Sequence, residues 1–130
     1  LEGSPESLQQ TIAHEMFHCY QYTNLRPQTI NLPNAINDWW VEGTAEFFGA
    51  TVYPTNNDEF IFNDDFQANA PDQLLFQMSY ENYLFFQYLA RQGGLDLEGV
   101  IDILRGMPTS GDLVQQQDAL AAVGGGCLGY

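Results

Sequence analysis

Apolar side chains recur near the start of the chain at intervals of three and four. Leu8, Ile12, Met16 and Cys19 or Tyr20 follow one another at the spacing of a helical stripe. The run opens on Ser4-Pro5-Glu6, which supplies a cap, a proline at the first helical position and an acid in the first turn. A first helix is therefore predicted from about Pro5 to Thr23, with that stripe as its apolar face. Asn24 to Pro33 holds two prolines and reads as a loop. Asn37 or Asp38 can cap a second helix, through Trp39, Trp40 and Val41 to about Val52. Pro54 to Asp58 has turn chemistry. Within the acidic, aromatic stretch Glu59 to Phe66, Phe60-Ile61-Phe62 suits either a short strand or a packed loop.

A third helix is expected from Pro71 or Asp72 to Arg91, ended by Gly93-Gly94. A fourth runs from Asp96 or Leu97 to Arg105, closed by Gly106 and Pro108, and a fifth from Gly111 to Ala122. Gly124-Gly125-Gly126 reads as a flexible tail unless Cys127 ties it down. There is no internal repeat. The chain is expected to be mainly α, with little or no β-sheet.

Length and charge narrow the class. At 130 residues the chain fits one domain, large enough for a real core. Its longest apolar stretches, such as Tyr83 to Leu89, are too short and too interrupted to span a bilayer. Leu1 to Ser7 reads as a loop and not as a signal peptide, so an export address would lie upstream. Seventeen acids face three arginines and no lysine, a formal charge of −14. That balance argues against nucleic acid and anionic membrane surfaces, both of which need positive charge. It also disfavours acidic substrates. Charged residues are only 15% of the chain, with many Asn and Gln in their place. Such a surface suits an extracellular or periplasmic protein. Cys19 and Cys127 lack C-x-x-C spacing, which argues against a thiolate zinc site or a thioredoxin-like motif. They are either a disulfide clamping the C-terminal segment onto the first helix or two free thiols.

The chemistry lies in His14-Glu15-Met16-Phe17-His18, an H-E-x-x-H sequence inside the first helix. Spacing i, i+4 sets two imidazoles one turn apart on one face, suited to gripping a single Zn²⁺ at about 2.0–2.1 Å. Glu15 projects beside the metal, where it can take a proton from the attacking water. These are the only two histidines in the chain. A metzincin would need Gly at position 21 and His at 24, where this chain has Gln21 and Asn24. The third ligand must then be a carboxylate. Trp40-Val41-Glu42-Gly43-Thr44-Ala45-Glu46 offers two acids at i, i+4 in an otherwise apolar helix. An acid pair there is costly unless a cation meets it.

This arrangement, with Glu42 placed 24 residues after His18, resembles the gluzincin clan of zinc metallopeptidases. The clan includes thermolysin-like peptidases and the aminopeptidase N type, with its downstream W-x-x-E-G-x-A signature. The resemblance covers Ser7 to Gly49. It implies His14 and His18 as histidine ligands, Glu15 as general base and Glu42 as glutamate ligand. Glu46 falls where thermolysin-like enzymes keep an acid that orients a ligand histidine. A Gly-Thr-x-Glu reading, echoing the aspzincin Gly-Thr-x-x-Asp pattern, would instead make Glu46 the ligand. The interval from His18 to Glu42 is longer than in the aminopeptidase N type. Gly43 is expected to let the histidine and glutamate helices approach closely. Such enzymes also supply a Tyr or His to the oxyanion from a later helix, which implies Tyr80, with Tyr83 as the alternative.

The function implied is peptide-bond hydrolysis by zinc-activated water, on a peptide or protein substrate. One alternative is a zinc-binding interaction domain of the same fold that has lost catalysis; another is a helical interaction domain whose H-E-x-x-H is accidental. Zincins place a twisted sheet before the active-site helix, and little chain precedes His14 here. A catalytic domain over residues 1–130, joined to an upstream domain in a longer natural chain, is the resulting expectation.

Overall fold

Pro5 does begin a helix. The computed structural model describes residues 5–32, 36–91 and 94–124. Helix α1 spans Pro5–Asn24, one residue beyond the expected end. The segment read as a loop contains a single turn, α2, at Pro27–Ile30. Helix α3 spans Asp38–Val52. Four more follow: α4 at Asn63–Asn69, α5 at Tyr83–Arg91, α6 at Leu97–Gly106 and α7 at Leu113–Gly124. Among the described residues there is no strand, so the chain is mainly α as expected.

Asn37 precedes α3 but does not cap it with its side chain. Its amide instead donates to the Thr29 and Ile30 carbonyls. That ties α2 to the start of α3. Asp96 and Asp112 do act as caps: Asp96 accepts from the Gly99 N–H at 3.0 Å, and Asp112 from the Val114 N–H at 2.8 Å.

Helix α3 is the axis of the molecule. α1 packs along it on one side, while α5 and the single turn Tyr80–Asn82 pack on another. Trp39, Trp40, Phe86 and Met107 are fully buried in the resulting core, with Trp39 stacked on Phe86 at 6.1 Å.

The expected apolar face of α1 is not the buried one. Leu8, Ile12 and Met16 are 59%, 49% and 64% exposed, and Cys19 is exposed as well. The helix instead buries Gln10, Ala13, His14, Phe17 and Gln21. Its polar members find partners on α3 and in the 58–62 segment, and those bonds offset the cost of burying them.

Two other expectations are corrected. Phe60-Ile61-Phe62 is neither strand nor loop but the end of a 3₁₀ segment, Asp58–Phe62. The third helix does not begin at Pro71 or Asp72. Residues 71–82 form turns and two short 3₁₀ segments, Leu75–Gln77 and Tyr80–Asn82, before α5 starts. Side chains compete with the helical ladder here. Asn82 donates to the carbonyls of Leu75 and Trp39, and Glu81 accepts from the Ser79 N–H and the Asn69 amide. Ser4, Gly93 and Cys127, assigned above to a cap, a helix end and a clamp, lie outside the described residues, as does the tail from Gly125.

Gly43 does not serve the approach of α1 to α3. A Cβ there would lie 2.9 Å from Asn82 Cβ and 3.2 Å from a Phe86 ring carbon, so it serves α5 and its lead-in. Gly49 serves α1: its Cβ would sit 3.1 Å from the Gln10 carbonyl oxygen. Gly43→Ala is expected to lower unfolding stability by about 1–3 kcal/mol, the usual cost of overpacking. Denaturant unfolding measures it, and an unchanged midpoint would contradict the close approach.

Candidate metal centre

The histidines are presented by α1 and the two glutamates by α3, and the close crossing at Gly49 brings the pairs together. His14 Nε2 lies 3.0 Å from His18 Nε2. Glu42 Oε2 lies 3.4 Å from the first and 3.2 Å from the second. Among the described residues, His14, His18 and Glu42 form the group able to hold a metal ion.

The outer partners fix what these atoms are. Glu46 Oε2 is 2.9 Å from His14 Nδ1, and an ionised carboxylate only accepts, so Nδ1 carries the hydrogen. Gln21 Oε1 is 2.8 Å from His18 Nδ1. The Gln21 amide nitrogen donates to the Val41 carbonyl and to Thr44 Oγ1, both at 3.0 Å. Its oxygen must therefore be the end facing His18, so that Nδ1 is again the donor. Thr44 completes the chain by donating to the Trp40 carbonyl at 2.6 Å.

In these tautomers neither Nε2 carries a hydrogen. Three lone-pair atoms then converge, and Glu42 Oε2 is buried with no hydrogen-bond donor. A cation, whether a metal ion or a proton, would satisfy that grouping. The spacing is near that of a small tetrahedral ion, for which bonds of about 2.0–2.1 Å would place neighbouring ligand atoms roughly 3.3–3.4 Å apart. The observed separations are 3.0, 3.2 and 3.4 Å.

Without a metal, a proton must do the same work. Burial disfavours charge on His14, but the hydrogen bonds and negative charges of Glu42 and Glu46 outweigh it and raise its pKa to about 9. His18 is raised too, with burial outweighed by Glu42 and Gln21. Burial would raise the Glu42 carboxyl, yet the two histidines hold it down at about 2.

Because His14 titrates above its ordinary 6.5, its ion pairing stabilises the metal-free fold fully below about that pH. The contribution is lost as pH rises through 9. Glu42 behaves oppositely, contributing above 4.5 and failing as pH falls through about 2. A metal ion held there must displace the His14 proton, so metal affinity is expected to rise from pH 6.5 to 9 while the metal-free Tm falls. Competition titrations with a chromophoric chelator, run beside thermal melts, check both slopes. A pH-independent affinity would contradict proton displacement.

The remaining sequence-derived residues divide cleanly. Tyr80 joins the site: its ring stacks on His14 at 5.8 Å and on Phe62 at 5.2 Å. Burial, together with the negative charge of Glu42, raises its hydroxyl to about 12. Tyr83 does not join it. That ring is buried in the core and its hydroxyl donates to Asn63. Glu15 is exposed and lines, with His14, Glu46, Asp58 and Tyr80, an open cleft of about 170 Å³. Glu46 lies on the far side of the His14 ring from Nε2, so Glu42 is the acid that meets both imidazoles.

Gln10, Gln21 and Glu59 were not anticipated. A signal for the first two exists: polar residues at 10, 14, 18 and 21 trace a second helical face beside the apolar one. Glu59 leaves no such trace, because it reaches the site from a distant segment.

No curated protein and no solved structure matches this chain. A family profile does match, over residues 3–102, which include every side chain of the site. The chain thus belongs to a family described as a family of unknown function, DUF6055.

Proposed function

We propose that this protein is a zinc-dependent peptidase of gluzincin type, with His14, His18 and Glu42 as the residues that hold the metal. The observation that carries the reading is the convergence of three hydrogen-free ligand atoms, from buried His14 and half-buried His18 and Glu42, at 3.0–3.4 Å, with exposed Glu15 next to His14 in sequence. Bound zinc would supply Lewis acidity, polarising the scissile carbonyl and lowering the pKa of water to about 7.

The other roles belong to the chain. Glu15, at the edge of the cleft, takes the proton from the attacking water and passes it to the leaving amine. Tyr80 remains a phenol at neutral pH, with its pKa near 12, and so can donate a hydrogen bond to the developing oxyanion. Glu46 and Gln21 hold the two imidazoles in the tautomers that leave Nε2 free, one through a carboxylate and one through a neutral amide. The α1–α3 crossing is then the active-site core of a zincin-like catalytic unit acting on peptides or proteins.

The test is incubation with a mixed-peptide library, with and without a zinc chelator. Cleavage lost on chelation and restored by added Zn²⁺ is expected. Stoichiometric zinc with no cleavage would favour a metal-holding interaction domain.

A further inference from the structure

Behind Glu46 lies a second buried carboxylate. Glu59 is 4% exposed and Glu46 8%, and between them sits Gln10 at 2%. The Gln10 amide nitrogen donates to Glu59 Oε2 at 2.8 Å and lies 3.5 Å from Glu46 Oε1. Glu46 in turn accepts from His14 Nδ1 at 2.9 Å. One hydrogen-bonded line therefore runs from the 58–62 segment, through α1 and α3, to a metal-facing imidazole.

No arginine accounts for Glu59. Arg26 donates to the Met107 carbonyl, and Arg105 pairs with Asp102. Arg91 lies exposed at the end of α5. Among the described residues the ion pairs are those of the two histidines and Arg105. A carboxylate buried without a cation is expensive unless its hydrogen bonds accomplish something.

What this one can accomplish follows from donor and acceptor chemistry. A primary amide has two hydrogens on nitrogen and none on oxygen, whereas an ionised carboxylate only accepts. An unanchored Gln10 could turn its oxygen towards Glu46 and repel it. The short bond to Glu59 prevents that rotation, because only the NH₂ end can face Glu59. The opposite end of the amide receives the Asp58 backbone N–H at 3.4 Å. The second amide hydrogen is thereby directed at Glu46 Oε1, leaving Oε2 for His14. Asn57 helps set the anchor: its left-handed backbone, φ 59°, precedes the turn that sends Glu59 inward. Asn tolerates that conformation better than most residues.

We infer that Glu59 and Gln10 are positioning residues for the metal centre, with Glu59 locking the Gln10 amide so that Glu46 is aimed at His14. The inference rests on the zinc reading of the site, and it extends the supporting chain by two residues, Gln10 and then Glu59, beyond the Glu46 carboxylate that touches a ligand. Residues that orient ligands typically contribute 10–100-fold in metal affinity, and residues one or two hydrogen bonds further out should fall near the lower bound.

The experiment measures the zinc Kd by competition titration, and the visible spectrum of the Co²⁺-substituted protein, for wild type and four variants. Glu59→Leu removes the anchor and is expected to weaken zinc about tenfold and to alter the cobalt bands. Glu59→Gln keeps an acceptor oxygen and is expected to stay within about threefold of wild type. Gln10→Met should reproduce the Glu59→Leu loss. The double variant should lose no more than either single one, because both act through one chain. If Glu59→Leu does not fold, Gln10→Met and Glu59→Gln still decide the matter. Wild-type Kd and cobalt bands in Gln10→Met, additive losses in the double variant, or a Glu59→Gln loss matching Glu59→Leu would each overturn the inference. Failure of the wild-type protein to bind zinc would sink the metal reading itself. Tight wild-type binding that none of these variants alters would sink only the role of Glu59 and Gln10.

Discussion

Glu15→Gln is expected to keep its zinc and lose about 10²–10⁴-fold in kcat for peptide cleavage, the usual contribution of a positioned general base. The split between binding and turnover follows from where the side chain lies. Glu15 shares the cleft with His14 and Tyr80 but is not among the atoms that converge on the cation position. Glutamine matches it in size and cannot take a proton from water. Zinc affinity should stay within a few-fold, and KM should move little, since what is removed acts in the transition state. Steady-state kinetics beside metal analysis gives both numbers. Turnover near the wild-type rate would rule Glu15 out as the base.

Removing a convergent ligand should act in the reverse order. In His18→Ala, zinc affinity is expected to fall by more than about 10²-fold, since changes to residues that merely orient ligands already cost about 10–100-fold. Activity should fall with the metal and return only partly at high Zn²⁺. Glu42→Ala should behave in the same way. Glu46→Ala should lose less, because Glu46 touches His14 Nδ1 and not the cation position. A ranking with Glu46 above Glu42 would revive the Gly-Thr-x-Glu reading of the α3 motif. Equilibrium dialysis against buffered zinc separates these outcomes.

The parts of this molecule that could be read from its sequence are those whose signals are local. Pro5 and the stripe behind it mark α1 almost to the residue, and the His14–His18 spacing specifies two imidazoles on one face. Glu42 was suggested because no further histidine and no well-placed cysteine was present, and Tyr80 by the resemblance to gluzincins. The orientation of α1 was not local. Its apolar stripe pointed to one face, while the buried face is set by Gln10, His14 and Gln21 bonding to partners 20 to 49 positions away. Periodicity cannot register a polar group that is satisfied across the fold. The same holds for residues 71–82, where Glu81 and Asn82 exchange helical bonds for contacts with Asn69 at the end of α4, with turns and with α3. Gly43 was correctly read as a site of close approach but assigned to the wrong neighbour; Gly49 is the glycine beneath α1.

The central claim is that His14, His18 and Glu42 enclose one zinc ion. Zinc analysis and X-ray absorption on protein purified without a histidine tag test it most directly. One equivalent of zinc is expected, with two imidazole nitrogens and carboxylate oxygen at about 2.0–2.2 Å. Substoichiometric zinc, or a sulfur neighbour at about 2.3 Å from a cysteine, would contradict it.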